Sequence, residues 1–467
     1  MQAPIALQPQ PQSAAASGAQ DIFINAHLLG PGGKATVPPA FQQQLNFSKS
    51  HRGKGAVETY IQNLTQARER LVGLLSSSKG TSEESVDAAC AEYSSHLLGL
   101  INEPSTDAGA GSRVAGNSRL RRMVAFAWQD ALVASGQVQM ADSVFELASL
   151  LVAVAIWKMQ KAAAICHEGG ATGVDSSAAA QAFKLLRSAA GMLQCVLESC
   201  LPHLFGGCPS LDCNPQVVAG LRDACLADAQ SLTVLRAIRK GNAPGLVAGL
   251  AADTGSLYTA AENGFRAGAA QAGPVASHKL AAYCTYKAVT FNATALAFTG
   301  LTELGDGRGG AAVKCTQAAQ AQSGAMREAS QAFDSAPPVS TPTEHGPFDQ
   351  NLQQTCARLA SMAKQENDRV HFQHIPTELP ALAQPKRLTA LQPFELPLAT
   401  VDASALEALT AAPPAPSQPA PVMSPAIPLQ AQQPAAGPSL GIQPKEQATL
   451  RRLRLIHWHC SPQTAKN

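Results

Sequence analysis

Two breaks flanking one segment constrain this chain most. Asn214-Pro215 places a capping side chain directly before a proline, the combination that opens a helix. Gly241 closes it, and Asn242-Ala243-Pro244 starts another at once. Two long helices joined so tightly must lie antiparallel, as in a bundle or an α-solenoid. The same punctuation recurs from about Ala56 to Phe372. Val57, Ile61, Leu64, Leu71 and Leu75 repeat at helical spacing, as do Val86, Cys90, Tyr93, Leu97 and Ile101. Further helical segments are expected over roughly 141–168 and 177–201. Nearly a fifth of the chain is alanine, the strongest helix former, and aromatic residues make up only 5%. The fold class read from this pattern is all-α, with no fixed repeat length and no room for a β-rich enzyme.

Charge and cysteine usage narrow the functional classes. The 35 basic and 33 acidic residues leave a formal charge of +2, which argues against a nucleic-acid partner held by bulk positive potential. Eleven cysteines lie scattered between Cys90 and Cys460 without a small-domain framework, which reads as buried thiols in a reducing, cytoplasmic compartment. Residues 1–33 carry no Lys or Arg, so no signal or transit peptide is expected. The apolar run from Leu147 to Trp157 is too short to span a bilayer.

Catalytic constellations are missing from the pattern. Cys195, Cys200, His203, Cys208 and Cys213 offer zinc-ligand chemistry, but two of them fall within a helical segment and no C-x-x-C pair forms half a site. They read as packed thiols. The glycines between Gly305 and Gly310 lack both a preceding strand and a following Lys-Ser/Thr, so they read as a helix–helix turn rather than a phosphate cradle. His457 to Cys460 lacks a supporting shell for a metal. No enzyme activity, metal or cofactor is expected. The one positive signal is a face of the helix after Pro244: Leu246, Leu250, Asp253 and Leu257 fall on one stripe with Val247 beside it. Such a stripe is either ordinary core or a groove for a partner's amphipathic helix.

The ends of the chain differ in character. Residues 1–33 are rich in Gln, Ala and Pro and are expected to be disordered. Residues 401–448 are a proline-rich linker. Within 412–444 it holds three P-x-x-P spacings, at Pro413/Pro416, Pro416/Pro419 and Pro425/Pro428, which suit SH3-type domains. Residues 449–467 form a basic apolar tail. Arg451, Arg452 and Arg454 suit anionic headgroups, Trp458 suits the membrane boundary, and Cys460 is a candidate for lipidation.

Several stretches together carry a family resemblance. FELASLLVAVAIWKMQKA from Phe145, LLRSAAGMLQCVLESCLPHL from Leu185, LADAQSLTVLRAIRKGNAPGLVAGLA from Leu226 and QENDRVHFQHIPTELP from Gln365 resemble the Bro-domain family of Alix-like ESCRT adaptors. KATVPPAF from Lys34, NAPGLVAGLA from Asn242, FQHIPTELPAL from Phe372 and PFELP from Pro393 resemble its short, Brox-type members. The match covers residues 34–400. It implies a boomerang-shaped domain with a tetratricopeptide-like helical core that works by binding. The implied partner is the C-terminal amphipathic helix of the main filament-forming ESCRT-III subunit, in membrane remodelling or endosomal sorting, at endosomal or nuclear-envelope membranes. The family's apolar patch of Phe, Ile and Leu falls on Thr233, Leu246 and Leu250, with Val247 and Leu257 alongside. Thr233 departs from the pattern by removing aromatic area. A family tyrosine falls on His371, which rules out a phosphotyrosine switch there. The C-terminal prenylation box of Brox-type chains is missing, since Cys460 is followed by further residues.

Overall fold

Asn214 does cap a helix: its side-chain oxygen accepts the Gln216 N–H, Pro215 takes the first helical position, and the helix runs Pro215–Arg239. The computed structural model describes residues 34–409, apart from 46–53, 78–79, 104–113, 115, 134–136, 169–173, 205, 208–209, 273–275, 338–344, 401–404 and 406–407. Helices α1 (Phe41–Leu45), α2 (Lys54–Ser76) and α3 (Glu83–Ile101) come first. Then follow α4 (Ser143–Glu168), α5 (Ser176–Cys195), α6 (Pro215–Arg239), α7 (Pro244–Ala272), α8 (Ala276–Gly305), α9 (Gly309–Ser335) and α10 (Gly346–Glu366). From α4 onward each helix packs on the next. Gly241 adopts φ +64°, a left-handed conformation that glycine tolerates, and so turns the chain from α6 into α7. The α8–α9 turn falls within the Gly305–Gly310 segment, with Gly307 at φ +76°.

The apolar stripes read from the sequence face inward. Val57, Ile61, Leu64, Leu71 and Leu75 of α2 are buried, as are Val86, Cys90, Tyr93, Leu97 and Ile101 of α3. Helix α4 is buried along nearly its whole length. Among the described residues it is the one helix long and apolar enough to cross a membrane, yet 78% of its apolar window lies inside the protein, as befits a core helix. A small antiparallel sheet, in order β1-β2-β3, adds to the helices. Its strands are β1 (Thr36–Val37), β2 (Phe126–Gln129) and β3 (Gln137–Met140). They are too short for alternation to reveal them.

Buried charges pin the sheet to the helices. Glu146 of α4 accepts hydrogen bonds from Arg68 Nε at 2.8 Å, Tyr93 Oη at 2.8 Å and the Trp128 indole. Lys34 and Asp212 form a fully buried pair at 2.9 Å. Arg121 meets both oxygens of Asp142 at 2.7 Å. Such pairs fix register more than they add stability, because their desolvation offsets most of the attraction.

Beyond α10, a π-helical turn (Asn367–His371) leads into an extended strap over residues 372–400. The strap has no regular structure of its own, but its backbone is tied to three helices. Lys386 N–H donates to the Gly249 carbonyl of α7 at 2.9 Å, Gln392 N–H to Arg187 of α5 at 3.1 Å and Thr400 N–H to Ser95 of α3 at 3.0 Å.

Candidate apolar site on the α6–α7 hairpin

The stripe on α7 is largely core. Val247, Leu250 and Leu257 are buried, at 0, 1 and 3% exposure, within the main apolar cluster. The sequence expectation that Leu250, Val247 and Leu257 line an open groove is therefore corrected. Helix α7 packs against α6 and α8, and the strap covers it along the Gly249–Asp253 side. Leu246, in the first turn of α7, is half-buried and packs on the edge of the core. Thr233 on α6 is likewise half-buried, with its hydroxyl directed at the Ala229 carbonyl of its own helix. That back-bond leaves the Thr233 methyl as its apolar contribution.

Ile238, in the last turn of α6, was not singled out from the sequence. It is 40% exposed, between the exposed cations Arg236 and Arg239. The available signal was an isolated branched apolar residue among Arg and Lys near a helix end. Accessible apolar area at this end of the hairpin comes from Ile238 and Leu246, with Thr233 farther back along α6.

The strap is held by polar groups beside that stripe. Arg387 reaches Asp253 with Nε at 3.0 Å and Nη2 at 3.1 Å. The buried Gln230 amide donates to the Lys386 carbonyl at 2.9 Å and to Asp253 at 3.1 Å. Its oxygen accepts from Leu388 N–H at 3.3 Å and Thr389 N–H at 3.1 Å. One glutamine thus supplies partners for strap groups that lack a sheet neighbour. Glycine lets the strap approach closely: a Cβ at Gly249 would lie 2.7 Å from the Gln384 carbonyl oxygen.

Under the hairpin lies a charged centre. Asp228 of α6 accepts from the hydroxyls of Tyr258 and, at 2.9 Å, Tyr283. Lys287 of α8 sits 5.3–5.9 Å from the rings of Tyr258, Tyr283, Phe291 and Phe348. Burial raises the Asp228 carboxyl despite Lys287 and the two phenols. Burial likewise lowers the Lys287 ammonium to about 8, against the pull of Asp228 and Asp349. The centre is buried, and it links α6 and α8 to α7, the helix that carries the stripe.

The described cysteines are all buried thiols. Burial raises Cys195 to about 11 and lifts Cys200 well above the ordinary thiol value, so neither is a ready thiolate at neutral pH. Cys213 lies 3.8 Å from the Ser149 hydroxyl and 3.9 Å from Lys34 Nζ. Among the described residues no group of three or more His, Cys, Asp or Glu side chains is placed to hold a metal. His371 ends the π-helical turn. The disordered start expected over 1–33, the SH3-type motifs in 412–444, Arg451, Arg452, Arg454, Trp458, Cys460 and Cys208 all lie outside the described residues.

Comparison with known proteins agrees with this architecture. A family model described as BRO1-like domain matches residues 48–412. The BRO1 domain-containing protein BROX of Mus musculus is 29% identical over 370 residues, covering 78% of this chain and 85% of the relative. The BROX homolog of Caenorhabditis elegans is 26% identical over 270 residues, covering 57% of this chain and 61% of the relative. A solved structure of the ALIX BRO1 domain in complex with CHMP4C aligns with TM-score 0.56 at 17% identity, covering 82% of this chain and 97% of that one. Another, described as the structural basis for endosomal targeting by the Bro1 domain, aligns with TM-score 0.55 at 17% identity, covering 84% and 95%. The match of that family model across most of the chain places it in the BRO1-like domain family.

Proposed function

We propose that this chain is an ESCRT-associated adaptor whose domain, residues 34–400, holds the C-terminal amphipathic helix of the main filament-forming ESCRT-III subunit. Members of this family are adaptors and scaffolds rather than enzymes. The solved relative bound to CHMP4C supports a partner of the ESCRT-III class. The observation that carries the reading to this surface is the half-buried Leu246 in the first turn of α7 and the exposed Ile238 in the last turn of α6, on a hairpin whose other large apolar residues are covered. Burying a leucine of this kind contributes about 1.5–3 kcal/mol, enough for one side chain to dominate a modest helix-in-groove contact. Thr233 in place of an aromatic makes that contact flatter. Recruitment is to endosomal membranes, with the tail over 449–467 adding peripheral membrane contact.

The test is a fluorescence-anisotropy titration of labelled C-terminal helices of ESCRT-III subunits with the full chain. Saturable binding of the filament subunit's helix is expected, and none at any concentration contradicts the proposal. A second reading, recruitment of SH3-type domains, is favoured by the three P-x-x-P spacings in 412–444. Deleting that segment abolishes SH3 capture and spares helix binding if both activities exist.

A further inference from the structure

His345 immediately precedes α10 and is 2% exposed. Its Nε2 lies 2.8 Å from Asp334 Oδ1 at the end of α9, and its Nδ1 lies 2.9 Å from Asp349 Oδ2 in the first turn of α10. A neutral imidazole carries one N–H and one bare nitrogen. With both nitrogens on carboxylate oxygens, the bare one would set lone pair against lone pair at hydrogen-bond distance. Imidazolium donates at both.

The surroundings make the two carboxylates the source of that preference. A cation at the start of a helix is opposed by the helix dipole. Helix α8 brings Tyr286, whose hydroxyl donates to Asp349 Oδ1 at 2.6 Å, and two lysines. Lys279 donates to the Phe333 carbonyl and lies 4.1 Å over the Phe333 ring, while Lys287 lies 5.5 Å over the Phe348 ring. Helix α9 brings Asp334 and the Ser330 hydroxyl, which lies 3.4 Å from His345 Nδ1 and donates to Asp349 Oδ2 at the shorter 3.2 Å. The rings of Tyr286 and Phe333 close around His345 at 5.3 and 5.8 Å.

We infer that His345 is a resident imidazolium that latches the start of α10 to the end of α9, and that raising the pH releases this latch. Burial works against the charge, and the bonds to Asp349 and Asp334 overcome it, so the ring titrates above an ordinary histidine. Because the folded value is raised, the latch's contribution is full below the ordinary histidine range. It is lost as pH rises through the folded value. Helix α10 continues through the π-helical turn into the strap, so release is read along α10 first and the strap next.

The experiment uses the full chain with ¹⁵N-labelled histidine. Ring spectra across pH 6 to 9 are expected to show one histidine protonated at both nitrogens above the pH where the others have titrated. Hydrogen exchange of 346–366, corrected for the intrinsic rate, is expected to quicken across the same window. Asp334→Asn keeps the shape, removes one carboxylate and is expected to lower that midpoint by about one pH unit or more. His345→Gln is expected to give exchange that no longer depends on pH. A histidine spectrum with a single protonated nitrogen at pH 7, or an Asp334→Asn midpoint equal to the parent's, overturns the inference even if His345→Gln fails to fold.

Discussion

Arg387 grips Asp253 at two points, 3.0 and 3.1 Å, and so ties the strap to the polar member of the stripe on α7. A position that sequence periodicity groups with Leu246 and Leu250 is thus engaged by the chain itself. The strap narrows the surface left for a partner to the turn end of the α6–α7 hairpin.

Half of this ion pair is exposed, with Arg387 at 51%, so Arg387→Ala is expected to cost less than about 1 kcal/mol globally. Gln230→Ala is different. It strips partners from Lys386, Leu388 and Thr389 at a buried position, and about 1–3 kcal/mol is expected. Urea melts rank the two variants, and hydrogen exchange over 384–392 should be faster in Gln230→Ala.

Gly191 gives a sharper probe of strap docking. A Cβ there would stand 1.7 Å from the Gln392 carbonyl oxygen, a backbone atom that must move away. Gly191→Ala is expected to destabilise by about 1–3 kcal/mol, as overpacking does. Loss of the Gln392–Arg187 bond should appear as faster exchange at Gln392. Unchanged exchange there would mean that the strap is not seated on α5.

The charged centre predicts strong non-additivity. Lys287→Met leaves Asp228 buried without its cation and is expected to cost about 3–5 kcal/mol. Asp228→Asn with Lys287→Met together should recover most of that loss. A double-mutant cycle by chemical denaturation measures the coupling, and additive losses would contradict it.

Asp130 predicts a pH effect. Burial and the neighbouring Asp212 raise its carboxyl to about 6, against the backbone N–H of Leu132. The folded state then keeps a proton that the unfolded chain releases between about pH 4 and 6, so this group's contribution to stability falls as pH rises through that window. Subtracting the Asp130→Asn stability curve from the parent's should isolate a downward slope there. A flat difference would remove the claim.

The helices were legible because pitch and caps are local. Val57 to Leu75 and Asn214 to Gly241 announce themselves within one turn of their neighbours. Other features depend on partners far along the chain. Lys34 meets Asp212 and Gln230 meets Thr389 across more than a hundred residues, and no spacing rule links them. The candidate site shows the same limit. Periodicity places Leu246, Val247, Leu250 and Leu257 on one side of α7, but it cannot say that α6, α8 and the strap enclose all except Leu246. Ile238 escaped for the opposite reason: it interrupts a basic face and belongs to no stripe.

The most direct test of the adaptor account is the affinity of the full chain for the filament subunit's C-terminal helix, measured for the parent and for Leu246→Asp. Leu246 is half-buried at the edge of the core, so the melting transition of the variant is recorded in the same buffer. The account predicts at least about tenfold weaker binding, the equivalent of 1.4 kcal/mol, with the folded baseline retained. Equal affinity in a folded Leu246→Asp chain would contradict it.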